Sequence, residues 1–307
     1  MIRSFFNLLF PKKVKLWLGF KYSQLYAWTV GYDPKKCMSH FYKSVFHQPM
    51  NWENPQNLIE KINWLQLNTD TSLWTLCADK FRVREYVRQK GCGEYLNELY
   101  GMWEDADSVD FSQLPNKFVL KANHGCGEVL LVKDKSKLDI PSTKKLMNKW
   151  LKEKYGRING QTHYTRIKPC IIAEKLLENP QGPDKPIVDY KFWCFHGKPE
   201  VCMVCYNRSG HYTSLSLFDL KWNNISASAL VEETPFFGGA FIQRPEALDK
   251  MVEIAKILSR DFYQVRIDFY SYNKEPIIGE LTFTTGYGYF KTDFYNRLGD
   301  KINLPCV

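Results

Sequence analysis

Val265-Arg-Ile-Asp-Phe269 and Ile278-Gly-Glu-Leu-Thr282 decide how this chain is read. Each is an apolar run of strand length, and the turn residues Asn273-Lys274 lie between them. The pattern predicts two antiparallel strands over 265–270 and 277–283. Asp268 and Glu280 are then expected on one face of neighbouring strands. Arg266 stands two residues before Asp268 and shares its face. Carboxylates on an otherwise apolar sheet need compensation, because unpaired buried charge is costly. A hard divalent cation provides it, with phosphate oxygens completing a magnesium shell. Arg266 suits charge developing on a transferred phosphoryl or acyl group. The competing reading is a salt-bridged surface hairpin.

Two further stretches carry chemistry. In Phe118-Val-Leu-Lys-Ala-Asn-His-Gly-Cys-Gly127 a strand ends in Lys121 and a loop holds Gly125 and Gly127. Glycines let backbone amides approach phosphates, and the lysine adds a point charge. The Lys-Ser/Thr of a Walker loop is missing, and a plain hairpin is the simpler alternative. In Ile171-Ile-Ala-Glu-Lys-Leu176 an apolar run ends in an acid and a base. It reads either as an exposed strand end or as a hinge for an adenine edge. In the hinge reading Glu174 accepts from the amino group, and Lys175 and Leu176 use backbone groups.

Around these lie other elements. Asn54-Pro55 signals a helix start, with Leu58, Ile62 and Leu65 at helical spacing. A second helix is expected over 73–90, a Lys-rich one over 142–155 and another over 245–260. Strands are expected at 118–121, 129–132, 170–176, 187–195, 201–206 and 213–218. Helices come first and antiparallel hairpins follow, so the class is α+β or α/β with several lobes. Gly156-Arg-Ile-Asn-Gly160 has the composition of a mobile lid. His196 reads as a hairpin-turn residue, and neither it nor His211 is assigned a catalytic role. Asp105-Ala-Asp107 reads as a loop or helix cap.

Composition narrows the compartment and partners. The 307 residues carry 42 Lys+Arg and 33 Asp+Glu, a net charge of +9. Residues 1–50 hold eight bases and one acid, Asp33, for +7. The other 257 residues hold 34 bases and 32 acids, for +2, which gives no warrant for a nucleic-acid groove. Nine cysteines, an odd and scattered set, indicate a reducing cytosol. Cys202 and Cys205 are three apart in a strand and face opposite sides, against a zinc pair. The first thirty residues are apolar, aromatic and basic, too interrupted to span a bilayer. They suit peripheral contact with an anionic membrane surface, or an ordinary helix packed on the core.

The order of these pieces resembles the ATP-grasp superfamily, and more closely its teichuronopeptide-biosynthesis (TupA-like) branch. The similar blocks are Asn63-Trp64-Leu65, Asp79-Lys-Phe-Arg-Val-Arg84, Phe118–Lys121, Ile171–Lys175, Asp189-Tyr-Lys-Phe192, Gly197-Lys-Pro199 and Gly279–Phe283. They span residues 55–304. The resemblance implies two α+β lobes clasping ATP with magnesium, after a helical N-terminal segment. It divides the chain into a basic aromatic segment (1–50), a helical lobe (51–116) and the ATP-grasp lobes (117–307). It implies phosphate contacts from Arg84 and Lys121, a phosphate loop at Gly125 and Gly127, and an adenine hinge at Glu174, Lys175 and Leu176. Asp189 and Lys191 would lie near ribose or phosphates, and Arg266 near the acyl phosphate. Asp268 and Glu280 match the magnesium ligands. Thr282 stands where many members have Asn as a third ligand, and Thr285-Gly286 where the family has Pro-Gly.

The implied activity is an ATP-dependent carboxylate–amine ligase, working through an acyl phosphate in surface-polysaccharide or teichuronopeptide synthesis. Its partners would be a small-molecule or glycan carboxylate and an amine. Its place would be the cytoplasm, peripheral at the inner face of the plasma membrane. The alternatives are a glycosyltransferase of polysaccharide assembly and a non-catalytic binding module with the same fold.

Overall fold

The computed structural model describes residues 12–179, 182, 185–209, 212–234 and 236–306, with side chains from residue 19 onward except at 209 and 212. His211 lies outside them. The N-terminal third is helical: α1 (Lys12–Thr29), α2 (Pro34–Phe46), α3 (Leu58–Asn68), α4 (Ser72–Ala78) and α5 (Val83–Gln89). Then come β1 (Leu99–Trp103), β2 (Phe118–Ala122), β3 (Val129–Val132), α6 (Ile140–Lys152), α7 (Thr162–Thr165) and β4 (Ile171–Lys175). The remainder is β5 (Asp189–Phe195), β6 (Lys198–Ser209), β7 (Tyr212–Asp219), α8 (Ser226–Ala229), α9 (Leu248–Leu258), β8 (Gln264–Tyr272), β9 (Glu275–Thr282) and α10 (Thr292–Gly299).

Local chemistry corrects two expected helix boundaries. The first helix starts at Leu58, because Asn57 Oδ1 accepts from the amides of Ile59 and Glu60. Glu60 Oε2 in turn accepts from the Asn57 amide, closing a capping box. Asn54 instead donates its amide to Asn51 Oδ1. The helix expected over 73–90 is two helices. Asp79 Oδ1 accepts from the amides of Phe81 and Arg82 at 2.8 and 3.1 Å, a local bond that competes with the helix.

Two antiparallel sheets follow. The smaller has strand order β1-β4-β2-β3, the larger β7-β6-β5-β8-β9. In the smaller, Phe118, Leu120, Ala122, Val132, Ile171 and Ala173 pack with Met147 and Trp150 of α6. Burying a side chain of the size of Phe118, Leu120, Ile171 or Met147 stabilises the fold by about 1.5–3 kcal/mol. By strand alternation the opposite face carries Val119, Lys121, Val129, Leu131, Ile172 and Glu174. The larger sheet shares its core with α3, α4, α5, α9 and α10. Trp74 of α4 stacks on Phe283 just after β9, centroids 5.0 Å apart. The site therefore stands on strands braced from the helical segment.

The segment with lid composition is docked. Gly160 O accepts from Gln66 Nε2 at 2.7 Å. Gly160 has φ +74°, and a Cβ there would lie 2.6 Å from Pro34 O, so only glycine fits without movement. All nine cysteines are free, with Cys202 and Cys205 both buried. Cys202 is registered with Phe192 and Cys205 with Asp189. Asp105 Oδ1 accepts from the Asp107 amide, a local cap. His196 (φ +47°) and Gly197 (φ +78°) form the β5–β6 turn.

Candidate active site

The larger sheet builds a charged row by register alone. Lys191 of β5 pairs with Asp268 of β8, and Asp268 pairs with Glu280 of β9. Two residue pairs along, and so on the same face, Arg266 of β8 stands opposite Thr282 of β9. The face expected for Asp268, Glu280 and Arg266 is the one observed. Arg266 Nε donates to Asp268 Oδ1 at 2.6 Å, and Arg266 Nη2 donates to Asp268 Oδ2 at 2.8 Å. The same Nη2 reaches Glu280 Oε1 at 3.1 Å and Thr282 Oγ1 at 3.0 Å. Thr282 Oγ1 donates to Glu280 Oε1 at 3.1 Å. Lys191 Nζ donates to the same Asp268 Oδ2 that accepts from Arg266 Nη2.

Burial opposes ionisation of Asp268, but Arg266 and Lys191 outweigh it and hold the carboxyl at about 2. Burial likewise works against the Lys191 ammonium, while Asp268 and Asp189 push its pKa up. Asp189, at the start of β5, also meets Arg208. Lys191, Arg208 and Arg266 thus balance Asp189, Asp268 and Glu280, three charges against three. Such a row is internally neutral and preorganised, and it can exchange one partner for a ligand of either sign.

The smaller sheet brings a second cluster. Lys121 Nζ donates to Glu174 Oε2 at 2.7 Å across β2 and β4. Arg84 of α5, buried, donates to Glu174 Oε1 at 3.2 Å and to Asn97 O at 2.7 Å. Burial lowers the Arg84 pKa and Glu174 counteracts it. Glu174 is therefore held by two cations. The Lys175 amide donates to Glu98 O, and Lys175 O accepts from Asn97 Nδ2, both at 2.9 Å. Leu176 follows, half-buried. Beside Lys121 and Glu174, exposed Val129 and Leu131 with buried Val119 and Ile172 give an apolar patch on the non-core face of the sheet. A flat heteroaromatic ring matches that patch.

The glycine loop follows β2, the strand that carries Lys121. Gly127 has φ +100°, where a side chain is strained. A Cβ on Gly125 would lie 2.3 Å from Glu128 Oε2, so the acid after the loop folds back over it. Burial raises the Glu128 carboxyl pKa. Burial also raises the Cys126 thiol, although its side chain reaches solvent. Glu280 raises it further and Arg266 opposes, so the loop tip sits within electrostatic reach of the charged row.

Four side chains escaped sequence reasoning. Lys80 donates its ammonium to Gly125 O and its amide to Asn123 O, tying the α4–α5 turn to the glycine loop. The Asp79–Arg84 block was its available signal. Arg208 reaches Asp189 from a β6 irregularity between Tyr206 and Ser209, which no local pattern announces. Tyr155 and Tyr164, rings 4.9 Å apart, feel the charges of Glu280 and Arg266. They line a cavity of about 780 Å³ that also includes His124, Lys152, Lys154 and Arg157.

The sequence over residues 60–303 matches the TupA-like ATP-grasp family. The chain belongs to the TupA-like ATP-grasp family. Membership places it among the ATP-grasp ligases. Three solved structures are similar to this chain at low identity. A D-alanine–D-alanine ligase from Bacillus anthracis is 12% identical, with 80% of this chain and 69% of that one covered, at a TM-score of 0.46. A phosphoribosylamine–glycine ligase from Thermotoga maritima is 13% identical, with 68% and 48% covered and a TM-score of 0.40. An N5-carboxyaminoimidazole synthetase from Staphylococcus aureus is 11% identical, with 75% and 53% covered and a TM-score of 0.38. No curated protein matches the sequence.

Among the described residues no cluster of three or more His, Cys, Asp or Glu side chains forms a self-sufficient metal site. The donor set of this TupA-like chain nevertheless fits magnesium. Asp268 is ionised, Glu280 is partly exposed on the adjacent strand, and Thr282 adds an oxygen. Magnesium is usually held by one or two carboxylates together with phosphate oxygens.

Proposed function

We propose that this chain joins a carboxylate to an amine at the cost of ATP, in assembly of a cell-surface polysaccharide or teichuronopeptide. The observation that carries the reading is the Lys191–Asp268–Glu280 row beside Arg266, within reach of a glycine loop adjoining Lys121. The adenine would lie against Val119, Leu131 and Ile172. The triphosphate would run under the Gly125–Gly127 amides, with Lys121 toward its α- and β-phosphates.

The carboxylate oxygen of the substrate attacks the γ-phosphorus and ADP leaves, giving an acyl phosphate. An amine then attacks the carbonyl carbon, phosphate leaves, and an amide forms. Arg266 and Lys191 hold the negative charge of the transferred group, and Asp189 with Arg208 keeps Lys191 in place. Asp268, Glu280 and Thr282 would hold magnesium, whose contribution is to neutralise the phosphate oxygens. The tyrosine-lined cavity with Lys154 and Arg157 is the proposed entry for the acyl substrate, a uronic acid unit or an amino acid.

The test is ADP release from magnesium–ATP with uronic acids and amino acids, with hydroxylamine added to trap acyl phosphate as a hydroxamate. Release that needs a carboxylate, together with trapped hydroxamate, supports the ligase. Turnover of a sugar nucleotide without ATP would establish a glycosyltransferase instead.

A further inference from the structure

The ligase chemistry leaves α1 unexplained. Its inner side packs on α2 through Ser23, Tyr26 and Ala27. Tyr26 stacks on His40 with centroids 4.2 Å apart, and Ser23 Oγ lies 3.3 Å from His40 Nε2. Its outer side is apolar, with Tyr22 on the flank, its ring 5.4 Å from that of His40. Phe20, Tyr22, Leu25 and Trp28 are 52%, 61%, 58% and 66% exposed, and Lys21 stands among them. Large exposed hydrophobics gathered within nine residues mark an interaction surface.

We infer that α1 docks this enzyme onto an anionic membrane surface, its aromatics at the headgroup–acyl boundary and its lysines among the lipid phosphates. Charge complementarity selects this occupant. Between residues 1 and 52 the chain carries eight bases and one acid, and that acid, Asp33, caps α2 through the Lys36 amide. A second copy docked face to face would oppose one lysine-rich helix to another, with no acid on either to pair with. A nucleic-acid strand would satisfy the lysines but leave Leu25 without an apolar partner. A lipid surface satisfies both kinds of group. No helix among the described residues is long and apolar enough to cross a bilayer, so the contact lies in the plane of the interface.

The experiment is flotation of the full chain with vesicles of phosphatidylcholine alone, and of phosphatidylcholine and phosphatidylglycerol in equal parts. Binding is expected only to the anionic vesicles and is expected to weaken as salt rises, since each lysine near the surface contributes about fivefold in partitioning. The double variant Leu25→Gln/Trp28→Gln alters only solvent-facing side chains. It should keep the wild-type melting temperature and lose at least about tenfold in binding. Equal binding to both vesicle types would overturn the inference, and so would wild-type flotation of the double variant. A dimer in size-exclusion chromatography that the double variant converts to monomer would assign the face to a second copy instead.

Discussion

Replacing Asp268 with asparagine probes the electrostatic keystone of the site. The side chain is buried and accepts from Arg266 at 2.6 and 2.8 Å and from Lys191. Its carboxyl is held at about 2. An ordinary aspartate titrates at about 3.9, so the native surroundings favour the charged form by about 2–3 kcal/mol. Because the folded pKa is depressed, this contribution is complete above about pH 4 and fades as pH falls through about 2. The amide would leave Arg266 and Lys191 buried side by side with one acid fewer. Breaking a buried pair from one side costs about 3–5 kcal/mol. Urea unfolding at pH 7 should show a loss of that order, and the gap to wild type should narrow below pH 4. Adding Lys191→Met should recover part of the loss, a coupling of about 1–3 kcal/mol. An Asp268→Asn protein within about 0.5 kcal/mol of wild type at pH 7 would refute the reasoning.

Three further outcomes are expected. Lys121→Met should weaken ATP binding by about ten- to a hundredfold in calorimetry, the scale of a lost charge-assisted hydrogen bond. His163 is buried between Trp74 and Phe283, with Nδ1 on Gln66 Oε1 and Nε2 without a partner. Burial, helped by Arg166, pushes its pKa down to about 3. Stability should therefore fall as pH drops below about 6.5, by about 2–3 kcal/mol at pH 4.5, and His163→Gln should flatten that limb of the denaturation curve. Gly160→Ala combines a positive φ with a backbone clash and should lower the unfolding free energy by about 1–3 kcal/mol in the same assay.

The parts of the fold legible from sequence were those fixed by short-range pattern. Asn273 and Lys274 both adopt positive φ at the β8–β9 turn, and alternation placed Arg266 and Asp268 on one face. Boundaries failed where a side chain competed locally with the backbone, as Asp79 does. Strand β1 went unread because Leu-Tyr-Gly-Met-Trp lacks clean alternation, and its register shifts between Leu99 and Gly101. The pairing of Glu174 with Arg84 was also illegible. It joins residues ninety apart through tertiary packing, and it makes Arg84 a brace for the Lys121–Glu174 pair. Arg208 is hidden for the same reason.

The central claim is that the charged row and the glycine loop hold ATP with magnesium. The most direct measurement is calorimetric titration of the full chain with ATP, with and without magnesium, repeated on the Asp268→Asn/Glu280→Gln variant. Because Arg266 and Lys191 already occupy Asp268, magnesium alone should bind weakly, and ATP should bind more tightly in its presence. The variant should lose that magnesium enhancement. Absence of ATP binding by the wild-type chain, or an undiminished magnesium enhancement in the variant, would contradict the account.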